Sequence, residues 1–441
     1  MLNILGALIA LGILITVHEA GHAVAATIFG IEIEKFSIGF GPRLISFRRK
    51  KTEFRISLIP LGGYLKMKGE NPGEEITDPK TSFKTKSWWQ RALVAFAGPL
   101  ANLLLALIVF IFSFLVGRYY EDSLPIIGKI NTERVGEFHL KDRIISINGE
   151  EIHGWNQLIQ NTREGGYNSF EIEREGKLLQ ISSDNITPAT WVEDFLPYAP
   201  PIVGEVAPGL PAYNAGIMND DRILEVNGVK VNDWYEMREI VLGTAGDQVV
   251  FLIERAGRQF EKAIPLEENI IDSNRIVGIT QKLPVRIEEK FNALEAVEYG
   301  TLTTVSFVAV NYVLLFRLLS KPSSIKSNLG GPVMIFTMSQ QTVKKGWDTI
   351  LVFFAAISII LMVMNLLPVP VLDGGHIFFC LVEGIFQKPF SEKIQVALQN
   401  IGFIILLALM VFAFWNDFDR LFKRKISLQQ QNQNSENLLT P

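Results

Sequence analysis

The sequence predicts a polytopic α-helical membrane protein of four spans, with a membrane-associated β-hairpin and two inserted α+β domains. Three observations predict it. Apolar runs toward both ends of the 441 residues are long enough to cross a bilayer, which takes about 20 residues. A charged, glycine-bearing middle separates them, so a chain 48% hydrophobic and 20% charged is a mixture of two environments. That middle repeats itself at an offset of about 80 residues. The net charge of −4 argues against a nucleic-acid partner. A single cysteine, Cys380, excludes an intrachain disulfide and a thiolate zinc site, and is expected as a buried small side chain.

Residues 1–29 form the first span. Met1-Leu2-Asn3 lacks the positive start of a cleavable signal, and the absence of leading Lys or Arg suits an N-out orientation. Inside this apolar run stands His18-Glu19-Ala20-Gly21-His22. Residues four apart share a helix face, so His18 and His22 can hold one Zn²⁺. Glu19 lies beside them, placed to take a proton from a water that the metal activates. A pair of core histidines is the plainer reading. Ionisable groups inside a span are costly, however, and need a partner such as a metal.

Residues 30–91 carry Arg48-Arg49-Lys50-Lys51 and many further cations, which makes this loop cytoplasmic. Within it, Phe54 to Met67 alternates and reads as a β-hairpin turning at Gly62-Gly63. Two readings stay open: a surface hairpin, or a re-entrant sheet edge that offers backbone hydrogen bonds to an extended substrate. The second span, 92–117, contains Gly98-Pro99-Leu100-Ala101-Asn102. Its small residues permit close helix approach, and Asn102 needs an interhelical hydrogen bond; packing is the expected role.

The repeat divides into 124–199 and 200–284. Asp142-Arg143-Ile144, Asn148-Gly149 and Trp155 recur as Asp221-Arg222-Ile223, Asn227-Gly228 and Trp234. Pro211-Ala212, Ala215-Gly216-Ile217 and the stretch Asp221 to Gly228 resemble the PDZ module, and the first copy resembles it more weakly over Gly136 to Asp142. That resemblance implies peptide binding by strand addition, with Ile276-Val277-Gly278-Ile279 as the strand and its glycine-bearing loop. A pair of sterically placed spacers that bind no peptide is equally open.

Residues 290–345 are expected as an amphipathic membrane-surface helical region. Tyr299 to Leu319 is apolar enough to cross, but a crossing there would put Asp373 on the opposite side of the bilayer from His22. The third span, 349–375, ends Asn365-Leu366-Leu367-Pro368-Val369-Pro370-Val371-Leu372-Asp373-Gly374. Pro368 and Pro370 force the backbone to unwind, which is tolerated at membrane depth only inside protein or beside a cavity. His376 is a competing ligand, with a hydrogen-bonded or interfacial histidine the preferred reading. The fourth span, 391–416, returns the chain outside, where Lys423-Arg424-Lys425 runs against the charge bias. The polar stretch 426–441 is expected to be disordered.

Together, H-E-x-x-H at 18–22, Gly62-Gly63, G-P-x-A-N at 98–102, the repeat and N-x-x-P-x-P-x-L-D-G at 365–374 resemble the site-2 protease family of intramembrane zinc metalloproteases. The resemblance implies His18, His22 and Asp373 as Zn²⁺ ligands and Glu19 as general base. It implies that Asn365, Pro368 and Pro370, with the Gly62-Gly63-Tyr64 hairpin, hold the substrate. It also implies a pre-trimmed single-pass membrane substrate, such as an anti-sigma factor. That substrate would be cut within its transmembrane segment during an envelope stress response. The setting implied is the bacterial inner membrane, with the repeats periplasmic, the site toward the cytoplasm, and lipid as the surrounding partner. A catalytically silent membrane PDZ adaptor is the alternative; it explains the repeat but not the buried His, Glu and Asp. A metal transporter explains the ligands but not the repeat.

Overall fold

A computed structural model describes residues 2–70, 74, 76, 78–131, 137–269, 274–321 and 330–437. The chain forms two compact units. Of the described residues, the first takes the chain up to Gly117, from Lys290 to Lys321 and from Gly330 to Asp417, and the second takes Arg118–Glu289 and the chain from Phe418 onward.

The first unit opens with helix α1 (Leu2–Ile28), strands β1 (Ile33–Arg49) and β2 (Thr52–Met67), and helix α2 (Trp88–Val116). α2 starts at a capping box, in which the Ser87 N–H donates to the Gln90 side chain at 3.1 Å. α1 and α2 are antiparallel and close. A Cβ on Gly21 would stand 2.3 Å from the Ala97 carbonyl oxygen, so only glycine lets the backbones meet there.

The β-hairpin differs from its expected form. Its tight turn is at Lys50-Lys51, where Arg49 pairs with Thr52 and Lys50 has φ 55°. Gly62-Gly63 lies inside β2 instead. Phe36–Ile38 pairs on one edge with Phe54–Ile56 and on the other with Gly63–Leu65, so β2 bends around β1. Alternation marks both halves of β2 as strand but cannot say that a third segment lies between them. The glycines serve close approach. A Cβ on Gly62 would enter the Phe40 ring, and one on Gly63 would stand 2.8 Å from the Ser37 carbonyl oxygen and 3.5 Å from Glu19 Cγ. Among the described residues no strand joins the outer edge of Gly63–Leu65.

The second unit begins with β3 (Arg118–Asp122) and β4 (Ile127–Ile130), then β5 (Arg143–Ile147), β6 (Glu150–Glu151), α3 (Trp155–Asn161), β7 (Asn168–Arg174) and β8 (Lys177–Ser183). α4 (Pro188–Glu193) and β9 (Phe195–Pro197) complete the first copy. The second copy holds β10 (Val203–Val206), α5 (Pro211–Asn214), β11 (Arg222–Val226), β12 (Val229–Lys230), α6 (Trp234–Gly243), β13 (Gln248–Arg255) and β14 (Arg258–Pro265). β15 (Glu267–Glu268), β16 (Arg275–Ile276), β17 (Ile279–Gln281) and β18 (Val285–Glu289) follow.

The two copies share a topology: sheets of order β6-β5-β7-β8 and β12-β11-β13-β14. Each copy closes on itself, through β4–β9 and β10–β17 respectively. The repeated sequence now has a physical cause. Asp142 is fully buried and takes Arg174 in two bonds of 2.7 Å; Asp221 takes Arg255 in two of 2.5 Å. Asn148 and Asn227 turn the chain at φ 52° and 51°. Gly136, at the start of the weaker PDZ-like stretch, lies outside the described residues. β3 and β18 pair in register from Asp122–Val285 to Arg118–Glu289, tying the two ends of the insertion together.

The chain then returns to the first unit with α7 (Ala293–Ser320), α8 (Pro332–Lys345), α9 (Trp347–Asn365), α10 (Asp373–Phe386) and α11 (Glu392–Asn437). Asn292 caps α7, with Glu295 closing the box. Among the described residues five helices are long and apolar enough to cross a membrane, namely α1, α2, α7, α9 and α11. α7, expected on the membrane surface, packs lengthwise on α2: Phe114 meets Tyr299 at 5.8 Å and Phe110 meets Phe307 at 5.3 Å. Cys380 is buried in α10, as expected.

The tail also departs from expectation. α11 remains helical to Asn437, where disorder was expected from 426, and residues 438–441 lie outside the described residues. Within the second unit this extension has partners. Arg424 stacks on Tyr213 at 3.8 Å and donates to its carbonyl oxygen, and Ser427 donates to the Ala215 carbonyl oxygen at 2.6 Å. Polar composition alone does not reveal a docking partner two hundred residues away in the chain.

Candidate metal centre

Helical spacing places His18 and His22 one turn apart on α1, facing α2. The third group arrives from α10. After Asn365 the chain leaves the helix, runs through Pro368 and Pro370, and re-enters it at Asp373. Asp373 thus sits in the first turn of a new helix, where an N-terminal dipole favours a carboxylate. The sequence reading expected it at the end of a span. The reversal is tight enough to require both following glycines: a Cβ on Gly374 would stand 2.3 Å from the Leu367 carbonyl oxygen, and one on Gly375 2.3 Å from that of Val369.

The three side chains converge. Asp373 Oδ2 lies 3.0 Å from His18 Nε2, and Oδ1 lies 3.4 Å from His22 Nε2. The two Nε2 atoms are 3.3 Å apart, and one ligand atom from each of the three residues falls within 4.8 Å of the others. Both histidines are buried, at 8% exposure each, so the cluster is a desolvated one. His22 Nδ1 lies 2.7 Å from the Val94 carbonyl oxygen. A carbonyl can only accept, so Nδ1 carries the proton and Nε2 keeps its lone pair for the cluster. Two imidazoles and one carboxylate around a point open to a cavity are the donor set of a catalytic zinc site. The residues fit the ion that the motif implies.

That cavity measures about 540 Å³. Glu19, Gly62, Gly63, Tyr64, Asn365 and His376 join the three donors in its wall. Asn365 Nδ2 is 3.4 Å from His18 Nε2. His376 stands outside the donor cluster, as preferred from sequence. Pro368 and Pro370 do not line the cavity; they shape the reversal, with Pro370 packed under Gly375. Phe40 stacks on Tyr64 at 6.4 Å on the β1–β2 side.

Ile276, Val277, Gly278 and Ile279 belong to the second unit. Val277 is buried at 4% exposure, and its carbonyl oxygen accepts from the Ala212 N–H at 2.8 Å. Gly278 accepts from the Ala207 N–H at 2.9 Å, and Ile279 pairs with Val206. One edge of this segment is therefore taken by its own domain. Among the described residues, the other edge of β17 carries no strand.

Sequence reasoning missed two groups. The Val94 carbonyl is a backbone atom and leaves no residue signature. Glu70, also in the cavity wall, follows Gly69 directly after β2, and burial pushes its carboxyl up to about 7 although the Met67 N–H donates to it at 3.0 Å. Its charged sequence neighbours hid it.

Known proteins are similar to this sequence along most of the chain. The Regulator of sigma E protease of Haemophilus influenzae is 33% identical over 442 residues, covering 94% of this chain and 98% of that protein. Protease RseP of Yersinia pestis is 32% identical over 448 residues, with 94% and 98% covered. A putative zinc metalloprotease of Vibrio cholerae is 29% identical over 449 residues, with 95% and 99% covered. The description of peptidase family M50 matches residues 6–409, a stretch that holds His18, Glu19, His22, Asn365 and Asp373 together, and the chain belongs to that family.

Proposed function

We propose that the chain is an intramembrane zinc metalloprotease that cuts single-pass membrane proteins within their transmembrane segments. The observation that carries this reading is the convergence of His18, His22 and Asp373 from α1 and α10 at the wall of one cavity with Glu19. When bound, a zinc ion supplies the Lewis acidity that peptide hydrolysis needs.

The chain's own residues supply the rest. Glu19 takes the proton of the attacking water and returns it to the departing amine. Asn365, beside His18, is placed to donate to the scissile carbonyl group. A helix in lipid hides its backbone in its own hydrogen bonds and must unwind to be cut. The open edge of Gly63–Leu65, in the wall that Glu19 shares, gives the unwound stretch replacement partners.

Four of the five apolar helices are read as spans, with α7 packed against α2 without crossing. α7 and α9 are read as antiparallel to α2: Phe114 meets Tyr299 while Phe110 meets Phe307, and Ser358 meets Asn102 while Asn365 meets His18 farther toward the start of α2. A chain that had crossed in α7 would run back along α9 in the opposite direction. The repeats then lie on the outer face as PDZ-like modules, and the donor cluster toward the cytoplasmic side. The basic run Lys423–Lys425 counts less against this orientation because Arg424 has partners on Tyr213. Relatives named for regulation of sigma E support an anti-sigma-factor-type substrate, already trimmed outside, in an envelope stress response of the bacterial inner membrane.

The test measures zinc per purified chain beside cleavage of a single-pass substrate. The parent holds about one zinc, His18→Ala and Asp373→Ala hold none, and Glu19→Gln keeps zinc while losing cleavage by about 10²–10⁴-fold. Parental cleavage by Glu19→Gln, or full zinc in His18→Ala, overturns the reading.

A further inference from the structure

Asn102 of α2 is fully buried, and its Oδ1 has no hydrogen-bond partner. Its Nδ2 lies 3.3 Å from His18 Nδ1. The backbone beneath is held, since its carbonyl oxygen accepts from the Ser358 hydroxyl at 2.8 Å. An orphaned buried acceptor is costly, so its retention in a packed helix interface calls for a reason.

The ring it faces supplies one. An amide nitrogen against Nδ1 requires a ring lone pair there, which leaves the proton on Nε2, donated to Asp373 Oδ2 at 3.0 Å. In that tautomer the Nε2 that faces His22 and Asp373 has no lone pair for a metal. The ligating tautomer carries its proton on Nδ1, and Asn102 is the polar side chain within reach of that atom among the described residues. Rotating the amide by half a turn presents Oδ1 to Nδ1–H and occupies the orphaned acceptor. Amide oxygen and nitrogen are near-isosteric, so the rotation asks nothing of the packing.

We propose that Asn102 is a positioning residue for His18. Its Oδ1 accepts from Nδ1–H and holds the Nε2 lone pair toward His22 and Asp373, the part that the Val94 carbonyl plays for His22. This rests on the reading of His18 as a zinc ligand. It assigns chemistry to a residue whose place in a small-residue helix interface otherwise looks like packing.

The experiment uses the full chain in detergent, as parent and as Asn102→Leu, Asn102→Ala and Asn102→Asp. Two quantities are read: the rate of zinc loss to excess chelator, and the visible absorption of the Co²⁺-loaded protein. Removing an outer hydrogen-bond partner typically costs 10–100-fold in metal affinity, so Leu and Ala should lose zinc about 10–100-fold faster and shift the Co²⁺ spectrum. Asp keeps an acceptor at Nδ1 and should stay within about threefold of the parent. Zinc loss at the parental rate from Asn102→Leu overturns the proposal. So does Asp behaving as badly as Leu, which would make the amide a matter of packing alone. Should Leu not fold, the comparison of Ala with Asp decides the same question. A parent without zinc, or His18→Ala with full zinc, overturns the proposed function itself and this role with it.

Discussion

The α-carbon of Gly98 lies under the His22 imidazole, so close that a Cβ there would stand 2.2 Å from Nε2. The ring is thus held from two sides of one helix turn, by the Val94 carbonyl at Nδ1 and by the bare glycine at Nε2. α2 acts as the floor on which a proposed metal ligand of α1 is set.

Gly98→Ala should therefore push the His22 ring out of the cluster. The expected outcome is zinc content well below the parent and cleavage lower by about 100-fold or more, as for misplacement of a catalytic group. Gly12→Ala, on α1 with open space around it, should change neither. Zinc per chain and initial cleavage rates check both.

The strand edge can be separated from the metal. A Cβ on Gly63 would press on the Ser37 carbonyl oxygen at 2.8 Å and on Ile15 at 3.0 Å, shifting β2 away from α1. Gly63→Ala should keep zinc at the parental level while cleavage falls about 10–100-fold. Loss of zinc in this variant would tie the strand to the metal cluster instead.

These two glycines show what a sequence can and cannot give. His18, Glu19, His22 and Asp373 were legible because ionisable groups in apolar runs are costly and so stand out. The repeat was legible because each copy spends the same residues on the same buried Asp–Arg pair. The path of the hairpin was not, because alternation marks a strand without naming its neighbour. Phe36–Ile38 takes both halves of β2, and Gly62-Gly63 becomes a contact surface instead of a turn. The helical tail escaped for the same reason: Tyr213 is its partner, and no local pattern points there.

The proposed four-span reading makes a labelling prediction. With Cys380 replaced by Ser, Lys282→Cys and Lys345→Cys flank α7 on either side in sequence. Both should react with an impermeant reagent added outside. Reaction of Lys345→Cys only after the membrane is opened would establish α7 as a crossing. Lys326, the nearer alternative probe, lies outside the described residues.

Glu70 gives a pH prediction for the zinc-free protein. Burial raises its carboxyl from 4.5 to about 7, so the folded state binds more protons than the unfolded state between those values. Its contribution to stability is present below about pH 4.5 and is lost as pH rises toward 7. Glu70→Gln should therefore raise the melting temperature at pH 8, by a free energy of about 2 kcal/mol or less, with the gain fading toward pH 4.5. An equal difference at both pH values would assign the effect to packing.

The inserted repeats offer the last prediction. A folded insertion of this size, if it lies on the outer face as proposed, would stop a bulky ectodomain from approaching and let a trimmed one pass, with no peptide affinity needed. The pairing of Asp122 with Val285 makes the deletion clean, because β3 and β18 already lie side by side and a short glycine-rich turn can join them. Removing 124–284 should make an untrimmed substrate cleavable while the trimmed one stays so. If the insertion instead delivers substrate along the free edge of β17, both should be cut more slowly. A point change at Gly278 cannot replace this test. Gly278 has φ 86°, and a Cβ there would stand 2.3 Å from Leu210, so any side chain disturbs the domain as well as the strand. Initial rates on the two substrates, before and after deletion, distinguish filter from receptor. An untrimmed substrate that stays intact after the deletion, with the trimmed one cut at the parental rate, ends the filter reading.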